Sequence, residues 1–149
     1  MFDYQAATPH WVNRLSFVIR AEVQQRFKAA GHAITAEEWA MLMLLWARAP
    51  QSMGQLAAMS LRDRTTITRL IDSMVKKGLL ERTSAPGDRR SVLVDLGPKG
   101  RALEAPLTAI VSDFIAQATK GLSPEEIAQA NGVLEKMTAN ILGEDDAPR

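Results

Sequence analysis

The chain has no cysteine, two histidines and a single tyrosine among its 149 residues. Without a thiol there can be no disulfide, no thiolate nucleophile and no cysteine-held zinc. His10 and His32 stand far apart. No nucleophile–base pair, glycine-rich phosphate loop or paired-carboxylate arrangement surrounds either, so the expectation is no enzyme, no metal and no cofactor. The acidic pairs Glu37-Glu38 and Glu125-Glu126 fall at helix starts, where the helix dipole favours negative charge. There is no apolar run of about 18 residues and no leader peptide, which predicts a cytoplasmic protein that does not enter membranes. Charge of one sign is missing too: 18 lysines and arginines meet 17 acids.

That balance conceals a partition. Residues 62–101 hold ten basic and five acidic side chains, a local +5, while the remainder of the chain carries −4. A basic segment beside an acidic remainder is the footprint expected of local phosphate contact.

The same segment carries the strongest pattern. Ile67, Leu70, Ile71, Met74 and Val75 recur at i, i+3, i+4, i+7 and i+8, the stripe of one buried helix face. Thr65, Arg69, Asp72 and Lys76 fall opposite, with Thr66 and Thr68 on the flanks. Asp63 is the expected N-cap, Ser60 the alternative, and Gly78 the C-terminal stop. Three threonines near a helix start lower its propensity, so they make better sense as short donors to phosphates or base edges. Strands are predicted near 79–84 and 91–96, around the turn chemistry of Ala85-Pro86-Gly87-Asp88. Arg89 and Arg90 are then expected at a loop tip, from which an arginine enters a minor groove. A hydroxyl-and-arginine helix followed by a basic hairpin is the pattern of a winged helix-turn-helix.

The chain resembles the MarR family of bacterial transcription regulators. The resemblance rests on TAEEWAMLMLLW (35–46), SMGQLAAMS (52–60), DRTTITRLIDSMVKKGLLER (63–82), PGDRRS (86–91) and VDLGPKG (94–100). One departure is Gly97, where the family usually has a threonine opening the next helix; glycine is tolerated at an N-cap. The resemblance implies a homodimer that binds double-stranded DNA and responds to a small molecule.

The expected architecture is mainly α with a small β-hairpin wing, one domain over 1–149. The winged helix-turn-helix spans 35–100, and dimerisation helices span 1–30 and 101–145. Helices are predicted near 8–30, 35–48, 52–59, 63–77, 98–120 and 123–142. Capping-box spacing appears at Thr35/Glu38, Ser52/Gln55 and Ser123/Glu126. The polar tail 143–149 is expected to fray. Apolar stripes at both ends (Leu15, Val18, Ile19, Val23 and Phe27; Leu103 to Ile115; Ile127 to Ile141) exceed what a small winged core can cover. They call for a second subunit, or for folding back within a monomer.

For DNA, Thr65, Thr66, Thr68 and Arg69 are expected in the major groove, with Arg69 suited to a guanine. Arg64 is expected on a phosphate or against the wing. Ser52 and Gln55 open the preceding helix, where free backbone N–H groups favour phosphate. Arg89, Arg90 and Ser91 belong to the wing, and Arg90 is the minor-groove candidate because the family motif is D-x-R-S. Asp88, unfavourable beside a polyanion, is expected to brace an arginine of the helix or wing, with the partner open. The effector implied by the resemblance, aromatic or phenolic, would find Trp11, Arg14, Trp39, Met43 and Trp46. Spacing i, i+4, i+7 makes Trp39, Met43 and Trp46 equally an ordinary core face. The alternative function is a winged-helix module that binds protein and does not read DNA.

Overall fold

A computed structural model describes residues 3–143; the tail beyond Gly143 that was expected to fray lies outside the described residues. After a short 3-10 turn at Tyr4–Ala6, the elements are α1 Thr8–Ala29, α2 Ala36–Ala47, β1 Gln51–Ser52, α3 Met53–Ser60 and α4 Arg64–Lys76. They continue with β2 Leu80–Ala85, β3 Asp88–Leu96, α5 Pro98–Ala118 and α6 Pro124–Leu142. All six expected helices are present within two residues or so of their predicted ends. The chain groups into two compact units, divided inside α5 between Val111 and Ser112.

Helix starts follow the caps. Thr35, Ser52 and Ser123 each close a reciprocal capping box with Glu38, Gln55 and Glu126. Asp63, not Ser60, caps α4: its carboxylate accepts from the Thr66 backbone N–H at 2.8 Å and from the Thr66 hydroxyl at 2.6 Å.

The core of the first unit is built on Phe27, Leu42, Leu45, Leu56, Ile71 and Val94, with Leu107 from α5, all essentially inaccessible to water. From the α4 stripe, Ile67, Ile71 and Met74 are buried and Leu70 and Val75 half-buried. Truncating any one of the buried set to alanine costs about 2–5 kcal/mol. The α1 stripe divides. Val23 and Phe27 are buried, whereas Leu15 and Val18 are each 56% exposed. No residue of α6 is buried.

The sheet differs from expectation in two ways. A third strand exists: β1 pairs antiparallel with β3 (Gln51 with Val94, Ser52 with Leu93), giving the order β1-β3-β2. Two residues are too short for any alternation to be read. Strand β3 also begins at Asp88, so Arg89 and Arg90 lie in the strand and not in a loop tip. The turn is confined to Pro86 and Gly87, whose φ of +79° suits glycine. Ser84 pairs with Val92 and Ala85 with Asp88, so Arg89, Arg90 and Ser91 form a bulge beside the turn.

Gly97 and Gly100 hold the start of α5 against the end of α4. A Cβ on Gly97 would come within 2.5 Å of the Gly78 carbonyl oxygen, and one on Gly100 would overlap the Leu79 carbonyl. The family's threonine would not fit at Gly97 here; glycine is required by a backbone approach and is more than a tolerated cap. Glycine to alanine inside a helix ordinarily stabilises by about 0.5–1 kcal/mol. Gly100→Ala should reverse that sign and destabilise by about 1–3 kcal/mol, read as a lowered urea midpoint at unchanged m-value.

Candidate nucleic-acid interface

Helix α4 turns its buried stripe inward and leaves Arg64, Thr65, Thr66 and Arg69 exposed, with Thr68 half-buried. The threonines are not equivalent. The Thr66 hydroxyl is committed to the Asp63 carboxylate, and that of Thr68 donates to the Arg64 carbonyl oxygen at 2.8 Å. Among the described residues the Thr65 hydroxyl makes no hydrogen bond, so it is the donor left for a ligand. Ser52 and Gln55 differ: Ser52 Oγ accepts from the Gln55 backbone N–H at 3.2 Å and Gln55 Oε1 from the Ser52 backbone N–H at 2.8 Å. What this end of α3 still offers an anion is the Ser52 hydroxyl proton, the Gln55 amide N–H groups and the remaining first-turn N–H groups.

Arg89 and Arg90 are exposed on the wing bulge and Ser91 is half-buried. Asp88 braces the wing in a way the sequence did not indicate. Its Oδ1 accepts from the Arg90 backbone N–H at 2.9 Å, orienting the bulge through main chain and not through an arginine side chain. The ion pair between wing and recognition helix is a different one: Arg82 of β2 donates to Asp72 of α4. Below it, Arg101 reaches Asp95 at 3.1 Å and ties the wing base to α5. Asp72 was legible as an exposed helix residue, but its pairing with Arg82 depends on the turn at Gly78, which no spacing rule supplies. Among the described residues Arg64, Arg69, Arg89 and Arg90 form no ion pair, leaving four free guanidinium groups on α4 and the wing.

The far end of α4 is anchored. Glu38 is 3% exposed; its Oε2 accepts from the Thr35 N–H at 3.0 Å and its Oε1 from Lys77 Nζ at 2.6 Å. With both oxygens satisfied, the buried carboxylate couples the start of α2 to the residue capping α4.

The residues considered for an effector are each engaged separately. Trp39 packs edge-on against Phe27 with centroids 6.0 Å apart, and Trp46 Nε1 donates to the Gly100 carbonyl oxygen at 3.0 Å. Trp11 is exposed, with Nε1 on the Gln5 carbonyl oxygen at 2.9 Å, and Arg14 is exposed on the same helix. Met43 lines a concavity of about 280 Å³ with Arg20, Glu37 and Met59.

The model of the MarR family matches residues 34–92, which span α2, α3, α4 and most of the wing. The HTH-type transcriptional regulator YkoM of Bacillus subtilis (strain 168), itself uncharacterised, is 35% identical over 105 residues, 70% of this chain and 68% of YkoM. The chain belongs to the MarR family. Solved structures of transcriptional regulators superpose closely. A probable transcriptional regulator from Pseudomonas aeruginosa has a TM-score of 0.77 at 26% identity, covering 91% of this chain and 99% of its own. BpsR of Bordetella bronchiseptica, whose DNA binding is regulated by 6-hydroxynicotinic acid, has a TM-score of 0.80 at 25% identity, covering 93% and 97%. The protein is therefore a DNA-binding transcriptional regulator with a winged helix-turn-helix, and not an enzyme. Family membership also decides against a module that lacks DNA reading.

Two measurements probe this MarR-family surface without DNA. The Thr66 hydroxyl, ahead of the Thr66 N–H, holds the Asp63 carboxyl below its ordinary value of 3.8. A depressed folded-state pKa contributes stability above the unfolded value and loses it as pH falls through the folded one. Protection of the first α4 amides from hydrogen exchange should therefore decline on acidification, and Asp63→Asn, which still caps, should remove that dependence. For the exposed Asp72–Arg82 pair, a double-mutant cycle should give a coupling of about 0.2–1 kcal/mol that shrinks with added salt.

Proposed function

We propose that the chain acts as a homodimeric repressor that holds a pseudo-palindromic operator and lets go when a small effector binds. The observation that carries the DNA-reading part is the set of unpaired guanidinium groups, Arg64 and Arg69 on α4 and Arg89 and Arg90 on the wing, beside a free Thr65 hydroxyl. Unpaired arginines exposed on α4 and the wing of a nearly neutral protein are available to neutralise phosphates. In this reading Thr65 and Arg69 meet base edges, and Arg64 and the α3 N-terminus meet phosphates. Arg90, oriented by Asp88, enters the minor groove. Thr66 and Thr68 serve by shaping the start of α4 and keep only acceptor capacity for DNA, whereas Ser52 and Gln55, whose side chains accept in their capping box, keep a hydroxyl and an amide donor.

Pairing is supported by the exposed apolar side chains of the terminal helices. Trp11, Leu15, Phe17 and Val18 of α1 are each more than half exposed, as are Ile115 of α5 and Val133 and Ile141 of α6. Apolar surface on this scale marks an interface. Two-fold symmetry would then set the recognition helices in successive major grooves about 34–36 Å apart, which requires an inverted-repeat operator. Ligand release is supported by BpsR and would work by population shift, the effector favouring a separation of winged units that no longer fits adjacent grooves.

Selection of bound sequences from random DNA should return an inverted repeat. On that site Arg69→Ala should cost about 1–3 kcal/mol and relax the preference at one base pair. Arg90→Ala should lower the slope of log K against log salt by about 1. An unchanged slope for Arg90→Ala would remove the wing from the DNA contacts, and selected sites without two-fold symmetry would remove the dimer model.

A further inference from the structure

Thioethers are the chain's only sulfur, since it holds seven methionines and no cysteine. Their exposure is uneven. Met41 and Met74 are buried and Met53 and Met137 half-buried. Among the described residues only Met43 and Met59 stand open to solvent, at 41% and 47%. Both line the same concavity of about 280 Å³, which residues of α1, α2, α3, the α3–α4 turn and α4 enclose. Ile67 and Leu70, from the inward stripe of α4, belong to the same lining, as does Arg62 of the turn. The polar neighbours are not equally available. Arg20 is held by Glu37, and the Ser60 hydroxyl donates to the Ala57 carbonyl oxygen at 3.2 Å. The Arg62 side chain is exposed and, among the described residues, forms no ion pair. The two reachable sulfurs thus share a concavity with residues that seat the recognition helix and with one free guanidinium.

We propose that Met43 and Met59 form an oxidation site for hypochlorous acid, and that their conversion to sulfoxides weakens DNA binding by unseating the start of α4. This rests on the DNA binding of the family and needs no small-molecule effector. Each conversion is a two-electron step. The thioether sulfur takes the oxygen of the acid and is oxidised, chlorine is reduced to chloride, and the hydrogen leaves as a proton. Susceptibility follows exposure, so Met41 and Met74 are spared where Met43 and Met59 react. The product is polar and chiral where the thioether was apolar and flexible. Set against Ile67 and Leu70, a sulfoxide oxygen loses water and needs a donor in its place. Arg62 is that donor. It directly precedes Asp63, the N-cap of α4, so drawing it into the concavity shifts the turn from which the helix starts. Leu61 in the same turn has φ of +52°, a left-handed conformation unfavourable for leucine, so the turn gains by relaxing. Reduction returns the thioether, one enzyme acting on each sulfoxide epimer, which makes the change reversible.

The test treats the full chain with hypochlorous acid in small molar excess. Peptide mass spectrometry reads the oxygen gained at each methionine, beside the affinity for a duplex that the untreated protein binds. Met43→Leu, Met59→Leu and the double variant remove the sulfur at nearly constant volume. Each protein is compared with itself before and after treatment, and unchanged thermal unfolding confirms that the variants fold. Met43 and Met59 should gain oxygen ahead of the other methionines. Wild-type affinity should then fall by about tenfold or more, since a polar group set against apolar walls is at stake. The double variant should keep its affinity through the treatment, and methionine sulfoxide reductases for both epimers should restore the wild type. Oxygen spread evenly over exposed and buried methionines overturns the site. Full oxidation of Met43 and Met59 with affinity unchanged overturns the link to DNA. An equal loss in the double variant assigns the damage to other side chains and overturns both. A loss of affinity that comes with loss of the helical circular dichroism signal is unfolding, and overturns the local action on α4.

Discussion

The way the wing leaves α4 depends on one backbone-to-backbone contact. The Gly97 N–H donates to the Leu79 carbonyl oxygen at 2.9 Å, and Gly97 and Gly100 are bare where that carbonyl and Gly78 press against them. This contact brings the end of α4, the start of β2, the end of β3 and the start of α5 to one point. The direction in which the wing leaves the recognition helix is set there, and the Arg82–Asp72 and Arg101–Asp95 pairs then hold it from either side. Side chains would separate these elements by several ångströms. Gly100 thus trades helix propensity for closeness, and packing outweighs the intrinsic cost of glycine in the first turn of α5.

The electrostatics of the unit sort into two layers. Toward α2 and α5 the acids Glu38 and Asp95 are each held by a cation and an N–H: Glu38 by Lys77 and Thr35, Asp95 by Arg101 and the Leu96 N–H. Toward the exposed face of α4 and the wing tip, the acids Asp63 and Asp88 are turned onto backbone N–H groups and pair with no arginine. Their charges are satisfied locally, which leaves Arg64, Arg69, Arg89 and Arg90 uncompensated. Surface ion pairs contribute little to stability, so forgoing them costs the fold almost nothing while preserving positive potential on that face, where the proposed DNA reading places phosphates.

Much of this was legible in the sequence because it is local. Thr35, Ser52, Asp63 and Ser123 with their third-residue partners set the helix starts, and the α4 stripe identified Ile67, Ile71 and Met74 as core. The features that escaped are those that join distant positions. Strand β1 exists only because Gln51 and Ser52 meet Val94 and Leu93, and Gly97 reads as a tolerated cap until its contact with Gly78 is seen. The wing arginines were placed in a loop because turn chemistry marks Pro86-Gly87 but gives no hint that pairing resumes at Asp88 with a bulge. Donor roles were over-assigned for a related reason. Residue type shows that a threonine can donate, while only geometry shows that Thr66 and Thr68 already do.

The two ends of α4 differ in a way that bears on control. Its N-terminal end is capped by an exposed carboxylate and lies within the surface that DNA would occupy. A ligand acting there would compete with DNA directly. Its C-terminal end is held by a buried carboxylate through Lys77, by the left-handed turn at Gly78 and by the Leu79 carbonyl, beside a groove with apolar walls. That end can be disturbed while the DNA-facing surface remains free of ligand. Coupling also requires an element whose arrangement differs energetically with and without the effector. A buried charge that depends on one partly exposed lysine meets that requirement, because loss of the partner changes its free energy far more than loss of a surface pair would. Among the described residues, of the ion pairs that reach α4 or its cap, Lys77–Glu38 alone joins a solvent-reachable cation to a buried anion, so its loss would disturb how the helix is set more than loss of Arg82–Asp72.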